Sequence, residues 1–416
     1  MTGINLQRIV IRRKRITMEG TDGARRLKFQ IKEVQEMHAS RLHVASRLAL
    51  TMMLVLTLVA CATQPAESGP NVSSSGFICP EPSPRVEVTS KEINIFTWTE
   101  YVPADIIECF GLVYDIKVNV DYFSSNEELN AKMVVAGDAN PYDVIHPSDY
   151  IIDVLARENI LQTLDTSRIP NWKNLNSDLL TAYGDTLKYV VPYQMGTQAI
   201  IYNSETVTNP PTSWADLWSP EYKGRIVSVD DTRVVIGMTL LTLGYSVNET
   251  DPAHLEEAKQ KLIELMPNIL VFDSDSPKSA LVAGDVDLGI VWNGEAFLAK
   301  QENPSFEYIF PSEGTIIFYD GMALPVNAPH VDAAYAWFNY LLQGDVNWLT
   351  LVDYPYTNPN QAALDFAKIN HPDVYEAYFS STITNSPAEV FATGHDVEDL
   401  GDALLIYDEI WTEVKQ

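Results

Sequence analysis

From Ile93 onward the sequence keeps one rhythm: a short strand-like run, then a stretch with apolar residues at helical spacing. Ile93 to Trp98 reads as a strand, and Pro103 opens an amphipathic stretch through Ala104, Ile106, Ile107 and Phe110. Ile116 to Phe123 is a second strand. Ser125-Asn126-Glu127-Glu128 begins a second helix, with Leu129, Met133 and Val134 expected on its apolar side. Tyr142 to Ile145 and the helix Ile151 to Glu158 complete a third unit. Repeated βα units imply an α/β fold with a mainly parallel sheet covered by helices. Residues 91–416 are too many for one simple core and suit two lobes.

The long β-like run Leu187 to Asn203, interrupted by Pro192 and Gly196, is expected to cross between the lobes. The second lobe then holds a strand at Arg225 to Val229, helices at Val234 to Leu243 and Pro252 to Leu265, and strands at Ile269 to Phe272 and Leu288 to Trp292. Phe306 to Leu324 returns the chain, so two crossing segments form a hinge. Val397 to Val414 reads as a last helix with Leu400, Leu404, Leu405, Ile410 and Trp411 as its apolar face. Lobe 1 is expected to comprise 91–193 and 321–355, and lobe 2 to comprise 194–320 and 356–416.

Upstream, residues 1–60 carry 11 Lys and Arg against 4 Asp and Glu. Leu48 to Ala60 is an apolar run broken by two threonines, preceded by Arg41 and Arg47 and followed by Cys61. A basic flank and a short apolar stretch predict a signal peptide. Leu58-Val59-Ala60-Cys61 looks like a lipobox, which makes Cys61 the expected lipidation site; a core helix ending at a chance cysteine is the alternative. A start at Met37 would leave a leader of ordinary length, roughly 15–30 residues. Residues 61–90, rich in Pro, Gly and Ser and without apolar periodicity, read as a flexible tether. An exported chain meets oxidising surroundings, so Cys79 and Cys109 read as a disulfide, with two separate buried thiols as the other possibility.

The whole chain carries 28 basic and 56 acidic side chains; without residues 1–60 it keeps 17 against 52, a net charge of −35. Such a surface repels nucleic acid and draws cations. No phosphate-binding glycine loop, H-E-x-x-H, G-x-S-x-G or C-x-x-C is present, and the seven histidines do not pair at ligand spacing. Asp273-Ser274-Asp275-Ser276-Pro277 opens like a calcium loop, but Pro277 falls at a ligand position and no glycine follows. Neither catalysis, a metal nor a cofactor is expected.

Instead, aromatics sit beside acids at the ends of strand-like runs: Trp98-Thr99-Glu100-Tyr101, Ser148-Asp149-Tyr150, Asp230-Asp231, Trp292-Asn293-Gly294-Glu295 and Phe318-Tyr319-Asp320. In open α/β sheets ligands bind beyond the carboxyl ends of strands, so these clusters are expected to line one cleft. Carboxylates accept charge-assisted hydrogen bonds from an ammonium. Aromatic faces attract the cation and cover its methylenes. An Asp after a strand also serves as a helix N-cap, a role that fits Asp231 best and Asp320 least. Aromatic platforms with carboxylates would also suit a secreted sugar-binding or carbohydrate-active protein.

The stretches Trp98 to Pro103, Ser213-Trp214-Ala215-Asp216-Leu217-Trp218, Pro220-Glu221-Tyr222-Lys223-Gly224 and Trp292-Asn293-Gly294 resemble the spermidine/putrescine-binding proteins of ABC importers, from about Ile93 to the last helix. The resemblance implies a two-lobed periplasmic-binding-protein (type II) fold that closes on its ligand. It implies a polyamine ligand and an ABC permease as partner, while the lipobox leads to the expectation of attachment to the membrane through lipidated Cys61. It suggests Trp98, Thr99, Glu100, Tyr101, Ser148 and Tyr150 as contacts from one lobe. Asp231, Trp292, Phe318, Asp320 and Tyr354 would supply the rest. Two positions depart from the spermidine-binding pattern: Val234 where it has a glutamate, and Phe318 where it has a tryptophan. One carboxylate fewer leaves putrescine and spermidine nearly level as expected ligands.

Overall fold

The computed structural model describes residues 69–416. The expected signal peptide, Cys61 and the first residues of the tether lie outside the described residues.

Among the described residues ten strands form one sheet: β1 (Glu92–Trp98), β2 (Lys117–Phe123), β3 (Val144–Ile145), β4 (Val190–Asn203), β5 (Ile226–Ser228), β6 (Ile269–Phe272), β7 (Leu288–Trp292), β8 (Phe306–Ile309), β9 (Ile316–Ala323) and β10 (His395–Asp396). Their order is β2-β1-β3-β9-β4-β7-β5-β6, with β10 added to β9 and β8 to β4. At one end β1 runs parallel to β2 and β3; at the other, β5 runs parallel to β6 and β7. Between these two parallel halves lie β4 and β9, paired antiparallel from Val190↔Ala323 to Gln198↔Ile316. Ile145↔Ala323 ties the pair to the first half, and Gln198↔Trp292 through Tyr202↔Leu288 ties it to the second. The two crossing segments are therefore adjacent strands. Their register shifts between Pro192 and Gln194, where Pro192 has no N–H to give the ladder.

The local rules that shaped the expected elements operate as physics requires. Ser125 caps the helix Asn126–Ala136 by accepting from the Glu128 amide at 3.1 Å, and Glu128 Oε2 accepts from the Ser124 amide at 3.0 Å. Asp231 caps Thr232–Thr242 through the Val234 amide at 2.9 Å. Asp251 caps Pro252–Leu265 with Pro252 in the first turn. Apolar side chains of the first half cluster around Ile93, Phe110, Trp337 and Tyr340, with the Phe110 and Trp337 rings edge-on at 5.1 Å. Those of the second half gather around Ile226, Val235, Leu262 and Tyr407.

Several expectations are corrected. The tether expected to reach residue 90 gives way to folded chain by Pro70, because its polar residues are bound one by one to two helices. Ser73 Oγ donates to Asp105 (2.7 Å), Asn339 Nδ2 to the Pro84 carbonyl (2.8 Å), and the Thr89 amide to Asp332 (2.6 Å). Cys79 and Cys109 are joined in a disulfide, which excludes the separate-thiol alternative. Val134 is exposed: 129 and 133 share a helical face, and 134 turns away from it. The last helix begins at Leu404, not Val397, and its buried stripe is Tyr407, Ile410 and Val414, leaving Leu405 66% exposed. The span 306–324 is two strands, not one. Within the segment expected as second lobe from 356, Gln361–Asn370 packs on Gly344–Asn347 on the first-half side, whereas Ile383 joins a second-half cluster.

Candidate functional site

The parallel strands of both halves end at one cleft, which encloses about 730 Å³ of space, part of it open to solvent. Trp98 ends β1, Phe123 ends β2, Ser148 follows β3, Asp231 follows β5, Ser274 and Asp275 follow β6, and Trp292 ends β7. All are in its wall, as the rule for open α/β sheets requires.

From the first half the cleft receives Trp98, Thr99, Glu100, Tyr101, Ser148 and Tyr150, the six residues expected there. Asp231, Trp292, Phe318 and Asp320 join them from the other elements. Tyr354 does not line the cleft. It closes the short helix Thr350–Asp353, and Tyr356 takes the place at the wall instead. Thr357 exchanges two backbone hydrogen bonds with Met195 of β4, at 2.9 and 3.0 Å, which presses Tyr356 against the strand pair. Its ring then lies 5.8 Å from Phe318 and 5.9 Å from Tyr101.

The acids face inward with incomplete pairing. Asp320 is only 4% exposed; its Oδ2 accepts from the Tyr101 hydroxyl at 2.6 Å, and its Oδ1 has no partner. Burial pushes its pKa up to about 7, against the opposing pull of the Tyr101 hydroxyl. Asp231 spends Oδ1 on its helix cap, and burial together with the nearby Glu127 raises its pKa to about 6. Asp149, absent from the expected contacts, lines the same wall; Oδ1 accepts from the Tyr150 amide, Oδ2 has no partner, and burial raises its pKa. A carboxylate taken from water without a full set of donors is costly, and a cation that supplies them removes that cost.

The aromatic walls are braced from behind. Trp98 stands 4.4 Å from Phe123, and both Trp98 and Trp292 pack against the two large apolar clusters. In the amide orientation that satisfies both groups, Gln198 accepts from Trp292 Nε1 at 2.8 Å and donates to the Ile316 carbonyl at 3.2 Å. The Trp-Asn-Gly motif is structural beyond its first residue. Asn293 binds the Thr197 amide (3.3 Å) and the Ile383 carbonyl (3.1 Å), and Gly294 has no side chain because Tyr356 lies over it. The motifs at 213–218 and 220–224 are also structural: Ser213 and Asp216 make a capping box, and buried Trp214 donates to the Gly314 carbonyl at 2.9 Å.

Lining residues outside the eleven expected contacts include Phe123, Asn126, Asp149, Gln198, Arg233, Ser274, Asp275, Ile317, Tyr356 and Val397. Asp149 carried a readable signal, since it sits between two expected contacts. Arg233 is nearly fully buried, with its guanidinium 5.1 Å from the Tyr150 ring and bonded to Asn248 Oδ1 and the Glu398 carbonyl, each at 2.9 Å. Val234, the departure noted above, opens an apolar side chain onto the cleft. Among the described residues no group of three or more His, Cys, Asp or Glu is placed to hold a metal ion.

Residues 106–378 match the family described as bacterial extracellular solute-binding protein. The spermidine/putrescine-binding periplasmic protein of Escherichia coli strain K12 is 38% identical over 326 residues, covering 78% of this chain and 91% of that protein. A solved spermidine/putrescine ABC transporter structure from Listeria monocytogenes superposes with a TM-score of 0.74 at 30% identity, covering 79% of this chain and 99% of that one. A lipoprotein of Treponema pallidum superposes with a TM-score of 0.67 at 25% identity, covering 78% and 99%. The chain has the type II periplasmic-binding-protein fold and belongs to the bacterial extracellular solute-binding proteins, among relatives named for spermidine and putrescine, a family of binding proteins and not of enzymes.

Proposed function

We propose that this protein is an exported, lipid-anchored receptor that captures a polyamine, putrescine or spermidine, in the cleft between its two halves and delivers it to an ABC permease. The observation that carries the reading is Asp320: a buried carboxylate with one free oxygen, flanked by Tyr101, Phe318 and Tyr356. One ammonium of a polyamine completes its hydrogen bonds, and the aromatic walls cover the methylenes at about 0.8 kcal/mol each. Contacts from both halves mean that the ligand favours the closed arrangement over an open one. The names of the relatives support the ligand class, and Leu58 to Cys61 together with the Treponema pallidum lipoprotein supports the anchor.

The test is calorimetric titration of the purified protein with putrescine, spermidine, spermine and a neutral sugar. One-to-one heat with an amine and none with the sugar is the expected result. A folded, ligand-free sample giving no heat with any amine refutes the polyamine assignment. For the anchor, Cys61→Ser is expected to release the protein from the membrane fraction, and unchanged membrane association would rule the anchor out.

A further inference from the structure

A cation that belongs to the protein sits against Glu100 of the cleft wall. Lys278 opens the helix Lys278–Ala283 of the second half, and its Nζ lies 3.0 and 3.1 Å from the two carboxylate oxygens of Glu295. The same ammonium reaches across to Oε2 of Glu100 in the first half at 2.9 Å and to Ser276 Oγ at 3.0 Å. Glu295 has a side chain only 4% exposed, so Lys278 is its necessary counter-charge. Glu100 is 44% exposed and sits in a backbone turn with φ of +49° that directs it to the cleft wall.

We propose that Lys278 is a specificity-determining residue that stands where an outer ammonium of a longer polyamine would bind, so that the cleft takes a diamine in preference to a triamine. This rests on the polyamine reading above. The inner wall carries Asp149, Asp231 and Asp320 against the single cation Arg233, which leaves two acids for the ligand to neutralise. Val234 adds no charge there. Two more exposed acids line the wall, Asp275 and Glu100: Asp275 Oδ1 accepts from Ser124 Oγ at 3.1 Å, and Glu100 Oε2 already holds Lys278. A ligand ammonium brought to that carboxylate would meet a like charge on a neighbouring donor, held in place by the buried Glu295. Burial alone would lower the Lys278 pKa, but Glu295 and Glu100 more than offset it, so the side chain remains charged.

Putrescine and spermidine affinities of the wild type, Lys278→Met and Lys278→Met/Glu295→Gln decide the matter by calorimetry. The double variant is included because the single one strands a buried carboxylate. The wild type is expected to prefer putrescine, and the spermidine-to-putrescine affinity ratio to rise at least about tenfold in the double variant. A wild type that prefers spermidine, or a ratio unmoved within about threefold in a folded double variant that still binds putrescine, overturns the role of Lys278 alone. A wild type that binds neither amine overturns the polyamine reading and this inference with it.

Discussion

The hydroxyl of Tyr101 donates to Oδ2 of Asp320 across 2.6 Å, while Oδ1 of the same carboxylate has no partner. Tyr101 comes from the turn after β1, and Asp320 from the middle of β9. One hydrogen bond thus fixes the direction of a buried acid and leaves half its accepting capacity facing the cleft.

Asp320→Asn keeps the shape of this pair and removes the charge. Loss of one partner of a buried charged hydrogen bond is worth about 2–5 kcal/mol, or roughly 30-fold to several thousandfold in Kd. Amine affinity in titration calorimetry is expected to fall by that amount. The ligand-free variant is expected to melt no lower than the wild type, because an incompletely paired buried charge has gone. Affinity within about threefold of wild type would show that Asp320 does not hold the amine.

The raised pKa values of Asp320, about 7, and Asp231, about 6, set a pH dependence for binding. A bound cation favours the ionised carboxylates, so affinity is full above pH ~7 and declines as pH falls toward ~5. Stability of the ligand-free protein moves the other way. Both folded pKa values exceed the unfolded one near 3.9, so the unfolded chain binds fewer protons between them. The stabilisation from these groups is present below pH ~4 and is lost as pH rises through 6 and 7. Calorimetric Kd at pH 5, 6, 7 and 8 reads the first effect; a flat profile would mean that these acids do not meet the ligand's charge.

Gly294→Ala sets two opposing magnitudes against each other. In an open helix the change gains about 1 kcal/mol in propensity. Here the new methyl group would sit 2.7 Å from Tyr356 Cε1, in a ring boxed in by Tyr101 and Phe318. Overpacking costs about 1–3 kcal/mol, so net destabilisation and weakened amine binding are expected. A higher melting temperature with unchanged affinity would contradict the packing described.

The bond between Cys79 and Cys109 fastens the segment ahead of β1 to the helix Ala104–Tyr114. Closing a loop with 30 residues of sequence separation is worth about 3–4 kcal/mol in the chain-entropy model. The variant Cys79→Ser/Cys109→Ser should lose stability of that order in denaturant titration while keeping its amine affinity, since neither cysteine lines the cleft. A loss below about 1 kcal/mol would indicate that the hydrogen bonds from Ser73 and Ser74 suffice to hold the segment.

Much of the scaffold could be read along the chain because the relevant forces act between near neighbours. The period of two in Ile93 to Trp98 specifies a strand, and Asp231 one turn before the Val234 amide specifies a cap. Chain direction in a parallel sheet then sends Trp98, Ser148, Asp231 and Trp292 to the same edge, and ten of the eleven residues that the family resemblance suggested line one cleft. What escaped the sequence depends on distant partners. Tyr354 and Tyr356 are equivalent by composition, and only the pairing of Thr357 with Met195 selects the second. Residues 70–90 have no apolar period, yet side chains more than two hundred residues away satisfy their backbone. Lys278 reads locally as a solvated lysine after a proline. Its place between Glu295 and Glu100 is decided only when the two halves of the sheet come together, because the energy of a charge is determined by whatever the fold brings near it.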